Sequence, residues 1–518
     1  MSLKDVSIPA RAYQILKFME GREVMERDNL GFNKVDAQLV PRLKDLIGRD
    51  NVLAEVFDTL PYARDNCPYK WSEKFNFRPD VVVIPENTEQ VADIVKLANE
   101  EKIPITPKGG GTGMMGGCVP KYGGISLDMR KMDKILEVNE ENLYVVVQPG
   151  ITNLRLSDEL ADLGYLGSHD PGSAPSSVIG GSLSTSAVNY RQGVNGALID
   201  EVIGLQVVLA TGEVIRAGRN SGSTRLSKSS VGFDLCHLFV GDYGTLGVKT
   251  EATLKIIPLP EVDEIHVVVF PSFENTMKAV QEIQRTRLPG IFTYTVFDRE
   301  YMLKAKHIYG VGEVYGGAVL IGFMGDAYIV DYVRGKAEQI WRKFGGEDLG
   351  PEEAAAEWAN RHDVYPTMIA TGKPAARWHY EDPTVNVSKM AEALKRYHEI
   401  VAKYGFDDWG GEGWIYDPVC SLSAIMYAVD ETDEANWDRY MACANEIVKA
   451  GLEMGGSISN CLGFDKRGVG RHSLELLKTE YTPSELKTLL SIKKCLDPNG
   501  IMNPGIMGLD ALEKEIVV

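Results

Sequence analysis

The stretch PKGGGTGMMGG, residues 107 to 117, decides how the rest of the chain is read. Lys108 is followed by Gly109, Gly110 and Gly111, then by Thr112 and Gly113, so the run has almost no side chains to pack. It is either a flexible hinge or a place where bare backbone N–H groups approach an anion. Upstream, PDVVVIPE (79–86) is a short apolar run between prolines, which suits a buried strand. NTEQVADIVKLANEEK follows as an amphipathic helix with Thr88 as its expected N-cap, and IPITPK returns to strand. The glycine run therefore closes a β-α-β unit. It has no clean G-x-G-x-x-G opening a helix and no G-K-[ST] ending, so neither a Rossmann nucleotide site nor a P-loop is indicated. Beside a flexible hinge, the alternative is a strand-loop whose amides line a diphosphate without a helix dipole. A second small-residue stretch, DPGSAPSSVIGGSLSTSAVN (170–189), would close over the same ligand.

Outward from these loops, LYVVVQPG reads as a strand and ITNLRLSDELADLG as a helix stopped by Gly164. EVIGLQVVLATGEVIRAG reads as a hairpin, and TLGVKTEATLKIIPLP as a further strand pair. Residues 1–50 read as a charged helical extension, with QILKFMEGREVMER and AQLVPRLKDLIG at helical spacing. From 261 the pattern changes to three strand-helix-strand units, beginning EIHVVVFPSF, GAVLIGFMGD and AIMYAVDETD, which suits an α+β sandwich roofing a site. The expected organisation is an N-terminal extension (1–50), a cofactor domain (51–260), a cap (261–465) and a C-terminal segment (466–518) that returns to the cofactor domain.

A chain of 518 residues exceeds one ordinary core, and 44% hydrophobic with 25% charged residues is a globular composition. A formal net charge of −18 argues against nucleic acid or an anionic membrane as partner. No window is long and apolar enough for a bilayer span, and the N-terminus lacks a signal-peptide core. Seven cysteines with no C-x-x-C pair indicate neither a disulfide framework nor a cysteine metal site. A cytoplasmic address is expected.

Four motifs in order, IPITPKGGGTGMMGG, DPGSAPSSVIGGSLSTSA, VGDYGTLGVKTEATLKIIPLPE and LDPNGIMNPG, resemble the vanillyl-alcohol-oxidase/p-cresol-methylhydroxylase-type flavoproteins. Within that superfamily they are most similar to the D-lactate dehydrogenase and glycolate oxidase FAD subunit branch, with alkyl-dihydroxyacetone-phosphate synthase nearby. The resemblance implies an α+β fold, with a two-part FAD-binding domain and a ferredoxin-like cap. It implies FAD as cofactor, held by Lys108, Gly109, Gly110, Gly111, Thr112 and Gly113. Pro171, Gly172, Ser173, Ser177, Gly180, Gly181 and Ser184 match the second loop, Val248 the adenine side, and Asn503 a contact to the flavin ring.

The hydroxy-acid branch also carries H-x-G-D-G-N-x-H and G-E-H-G for a divalent metal. Here the corresponding regions read WGGEGWIYDP and ISNCLGFD, with Cys461 and Leu462 at the latter site and no histidine between residues 399 and 471. Neutral imidazoles are what such a site needs, so no catalytic metal is expected. Three catalytic candidates remain. Arg361 stands where that branch has an arginine suited to a carboxylate, His379 in ARWHYEDP is a candidate base beside Tyr380, and Tyr416 with Trp409 would line an aromatic pocket.

The expected activity is oxidation of a CH–OH substrate, a 2-hydroxy acid, with hydride passing to the flavin. The small-molecule substrate would be oxidised by a homo-oligomer, and the flavin reoxidised by an electron-transfer protein, a quinone or oxygen. Two alternatives stand beside this: oxidation of an alcohol, phenol or lipid-like substrate without a metal, and a non-catalytic FAD-binding subunit.

Overall fold

The computed structural model describes residues 31–67, 77–167, 169–218, 232–304, 311–363, 376–406, 409–416, 419–459, 471–510 and 512–513. The described residues form three sheets. The first has four strands in the order Val52–Leu53, Val81–Val83, Ile125–Asp128, Ile105–Lys108, and its last three are parallel. All three residues of Val81–Val83 are buried, as its apolar run requires. The crossover helix Thr88–Glu100 puts Val91, Ile94, Val95 and Ala98 on that sheet. Its N-cap is Asn87, not Thr88: the Asn87 carbonyl accepts from Gln90 N–H, while the Thr88 hydroxyl bonds Gln206 Oε1 at 2.8 Å. The helix Leu39–Ile47 turns Leu39, Leu43 and Ile47 into the same core. QILKFMEGREVMER lies outside the described residues.

The second sheet runs Ile135–Asn139, Tyr144–Val147, Val248–Pro258, Val202–Val208, Val214–Gly218, with Tyr165–Gly167 also on the long central strand. Val248–Pro258 is one strand of 11 residues rather than a pair. It has no Gly or Pro before its last residue, Pro258, and two register irregularities interrupt its pairing with Val202–Val208 without breaking the strand.

The third sheet is antiparallel throughout: Glu347–Asp348, Val262–Phe270, Gly317–Gly325, Ile291–Asp298, Trp409–Tyr416, Val419–Asp430, Ala376–Glu381, with Thr384–Asn386 on the Val419–Asp430 strand. The helices Phe273–Thr286, Ala327–Lys343, Met390–Lys403 and Glu434–Glu453 cover one face. The opposite face, with Val267, Val269, Phe297, Leu320 and Trp414, packs on Met114 and Tyr190 of the cofactor half. Of the three expected strand-helix-strand units, the third is incomplete among the described residues. After Glu434–Glu453, Ser457 makes only an isolated bridge to Thr384.

On the covered face, His266 Nδ1 lies 2.6 Å from Asp348 Oδ2 and Nε2 lies 3.5 Å from Glu264. Burial alone would lower its pKa, but the Asp348 hydrogen bond and the two carboxylate charges outweigh that and raise it. A histidine raised in the folded state stabilises fully below its unfolded value of about 6.5 and loses that contribution as pH rises through the folded value. His266→Phe is therefore expected to lower Tm more at pH 6 than at pH 8.5, measured by thermal melts of both proteins at each pH.

Candidate active site

Between the two loops, the second sheet and the roofing sheet lies one extended cavity. Lys108, Gly109, Gly110, Gly111, Thr112 and Gly113 line it from the first loop, and Pro171, Gly172, Ser173, Ser177, Gly180, Gly181 and Ser184 from the second; Val248 joins them. The sequence thus placed two distant small-residue loops on one cavity.

The glycines do different work. A Cβ on Gly109 would overlap Val178 Cγ2, and one on Gly110 would overlap the Ser176 carbonyl oxygen, so these two let the loops touch each other. At Gly113 the nearest protein atom to an added Cβ is 3.8 Å away and at Gly181 it is 3.7 Å, so these two leave open space. Among the described residues, the N–H groups of Gly110, Gly111 and Gly113 donate to no carbonyl or side chain. Lys108 stands beside them, donating to Arg64 O at 2.7 Å. Uncommitted amides, a cation and empty volume next to glycine fit the diphosphate of a dinucleotide cofactor.

Asn503 is a wall support rather than a lining residue. Its Nδ2 donates to Gly117 O at 2.8 Å and to Tyr243 O at 2.7 Å, and its backbone N–H to Ile105 O at 2.7 Å. It binds the C-terminal return to both sides of the cavity.

The roofing strand Trp409–Tyr416 supplies an acid and an aromatic ring to the cavity. Alternation puts Glu412 and Trp414 into the cavity, while Trp409 and Ile415 face the helices. Glu412 is buried and accepts from Trp414 Nε1 at 2.8 Å. Burial pushes its carboxyl up to about 7, against the lowering effect of that hydrogen bond. Trp414 lies against Tyr190, ring centroids 4.4 Å apart. Burial, then the nearby carboxylates, raises the Tyr190 phenol far above its ordinary range. Behind this strand, Asp298 accepts from Tyr301 N–H at 2.7 Å and from Gly411 N–H, and burial pushes it up to about 7. Neither Glu412 nor Tyr190 was singled out from the sequence as a catalytic group. The signal lay in WGGEGWIY, where period-two alternation puts Glu412 on the face opposite Trp409.

The three sequence candidates are not brought together there. Arg361 does not line the cavity: its Nε donates to Asp170 Oδ2 at 2.8 Å and its Nη1 to Trp358 O at 2.8 Å. His379 is 0% exposed on the helix-covered side, with the rings of Tyr440 and Trp437 at 4.6 and 6.0 Å and Glu431 Oε1 3.9 Å from Nε2. Trp409 packs edge-on to His398, centroids 4.6 Å apart. Tyr416 ends the roofing strand opposite Val419, and its side chain lies outside the described ones, as do those of Tyr380, Cys461 and Leu462. Among the described residues no three His, Cys, Asp or Glu side chains assemble as a metal-holding group. No helix among them is long and apolar enough to cross a membrane.

A cavity of this shape under a cap sheet fits the cofactor of an FAD-linked oxidoreductase. The chain belongs to the FAD-linked oxidase family and has the vanillyl-alcohol-oxidase-type fold: residues 79–218 match the FAD binding domain, and residues 259–507 match the C-terminal domain of FAD linked oxidases. It is 30% identical over 473 residues to the glycolate oxidase subunit GlcD of Bacillus subtilis (strain 168), covering 89% of this chain and 96% of that one. It is 28% identical over 493 residues to a D-lactate dehydrogenase of Anaerostipes hadrus, covering 92% and 98%. Among solved structures, p-cresol methylhydroxylase with substrate bound superposes with a TM-score of 0.78 at 22% identity, covering 92% of this chain and 97% of that one, a likeness of fold. FAD is the cofactor.

Proposed function

We propose that this flavoprotein oxidises the CH–OH group of a 2-hydroxy acid, with Glu412 as the base that takes the hydroxyl proton. Bound FAD supplies the acceptor for the hydride of the adjacent C–H bond. Glu412 carries the reading: a buried carboxyl in the cofactor cavity, poised to titrate near neutrality, is suited to proton abstraction. Trp414 orients it, and Tyr190 and Trp414 form an aromatic wall that keeps water from it. No metal takes part in this scheme. The names of the relatives, glycolate oxidase and D-lactate dehydrogenase, support the hydroxy-acid class. Reoxidation is assigned to a protein or quinone acceptor, in keeping with the Bacillus relative being named as a subunit.

A second reading, oxidation of an alcohol or phenol, is favoured by the cations of the cavity. Among the described lining residues these are Lys108 and Lys249, and both are hydrogen-bonded within the chain, Lys249 to Asp242 at 2.5 Å and to Ser184 at 3.0 Å. The aromatic wall suits such a substrate.

Anaerobic visible spectra of the FAD-loaded protein with glycolate, D-lactate, D-2-hydroxyglutarate, p-cresol and vanillyl alcohol decide between the two. Bleaching by the acids supports the first reading, bleaching by the phenols alone the second, and bleaching by none leaves the non-catalytic subunit. With the reacting substrate, the reduction rate at limiting substrate is expected to rise about tenfold per pH unit below about 7 and to level off above it, because only ionised Glu412 accepts the proton.

A further inference from the structure

Two arginine–aspartate pairs cross the boundary between the matched FAD-binding and C-terminal domains, in opposite directions. Arg361, from the cap, donates to Asp170, the residue before Pro171 of the second loop, at 2.8 Å. His362 Nε2 lies 2.7 Å from the other Asp170 oxygen. Burial alone would raise Asp170, but the His362 and Arg361 interactions hold its carboxyl below the usual range. Arg191, from the FAD-binding side and only 7% exposed, forks onto Asp263 at the start of the cap sheet, at 2.7 and 3.2 Å.

Both guanidiniums lie on Trp358, at 4.3 Å for Arg361 and 5.4 Å for Arg191, and Arg191 also covers Phe292 at 4.7 Å. Tyr190 sits inside this frame. Its N–H donates to Asp170 O at 3.0 Å, its hydroxyl to Arg361 O at 3.4 Å, and its ring meets Trp358 edge-on at 5.8 Å and Trp414 at a tilt of 34°. The pairs are only partly buried, with the Asp263 side chain 33% and the Arg361 side chain 20% exposed, so they add little net stability and matter here for the geometry they hold. Here the geometry they fix is that of Tyr190, Trp414 and Pro171–Ser173, all lining the cofactor cavity.

We propose that the Arg361–Asp170 and Arg191–Asp263 pairs form a reciprocal clamp that sets the aromatic wall of the cofactor cavity. Arg361 is then a positioning residue, not a ligand for the substrate carboxylate.

The test compares wild type with Arg361→Met, Asp170→Asn and Asp263→Asn as FAD-loaded proteins. It reads the visible circular dichroism of the bound cofactor at saturating FAD, the FAD dissociation constant, Tm and, for the reacting substrate, KM. A displaced wall changes the visible dichroism bands and weakens FAD about tenfold in both Arg361→Met and Asp263→Asn, with Arg361→Lys recovering part of each effect at its own position. If Asp170→Asn does not fold, the Arg361→Met and Asp263→Asn pair still decides. Unchanged dichroism and FAD affinity overturn the clamp, whether Tm alone falls or KM alone rises more than tenfold in Arg361→Met. The cofactor readouts need no substrate, so they stand even if Glu412 proves not to be the base; only KM rests on the proposed reaction.

Discussion

Replacing Glu412 by Gln is expected to slow anaerobic flavin reduction by about 10²- to 10⁴-fold, the usual contribution of a positioned general base. The amide has the same size, and its oxygen still accepts from Trp414 Nε1, so the roofing strand and its packing on Tyr190 persist. FAD absorbance and Tm should therefore match wild type. Removing a buried carboxyl held near 7 also removes its titration, so the rise of rate with pH below neutrality should disappear. Stopped-flow reduction of the two proteins across pH 5.5 to 8.5 measures both effects. Retention of full activity with the same pH profile would take the base role from Glu412.

The second large effect is expected at Gly110. An alanine there drives its methyl group into the Ser176 carbonyl oxygen, with the Ser176 carbonyl carbon at 2.9 Å and Ser177 Cα at 3.3 Å. All three are backbone atoms, so nothing can move aside without parting the two loops. Overpacking of this kind costs about 1–3 kcal/mol or more, and parting the loops opens the cofactor cavity itself. Gly110→Ala should express as colourless protein with a lowered Tm. Gly113→Ala is the contrast, because its methyl group meets no protein atom closer than 3.8 Å. That variant should melt like wild type while binding FAD more weakly, as read by flavin fluorescence on titration. Equal behaviour of the two variants would mean that the glycines do not divide into packing and cradle positions.

Much of the lining of the candidate cavity was legible because it is written in glycine. Backbone approach tolerates no substitute, and both loops declared themselves by composition and order. What composition could not separate was the reason for each glycine: Gly109 and Gly110 serve loop-to-loop contact, whereas Gly113 and Gly181 leave room. The candidate catalytic side chains were harder because their positions come from register and long-range pairing. Arg361 meets Asp170 across 191 residues of chain, so a guanidinium that looked available for a substrate is already committed. His379 and Trp409 were judged by chemical type, but strand parity turns both toward the helices. The same parity carries Glu412 into the cavity, although its sequence setting drew attention only as a metal motif without its histidines. At Thr88 the error was local: two adjacent polar residues compete for the cap, and Asn87 wins because the threonine hydroxyl has a partner in Gln206.

Asn503 ties together segments that are made far apart in time. Its side chain holds carbonyls of residues 386 and 260 positions upstream, one on each flank of the cavity. A ribosome has therefore released both glycine loops long before the residue that joins their surroundings emerges. Until then the nascent chain has the amides for a diphosphate but not the frame that keeps them in place, so cofactor capture would wait for Asn503. Truncated chains ending before Asn503 would remain unloaded, and the yellow colour of the protein would report that synthesis has passed Asn503 as well as a correct fold.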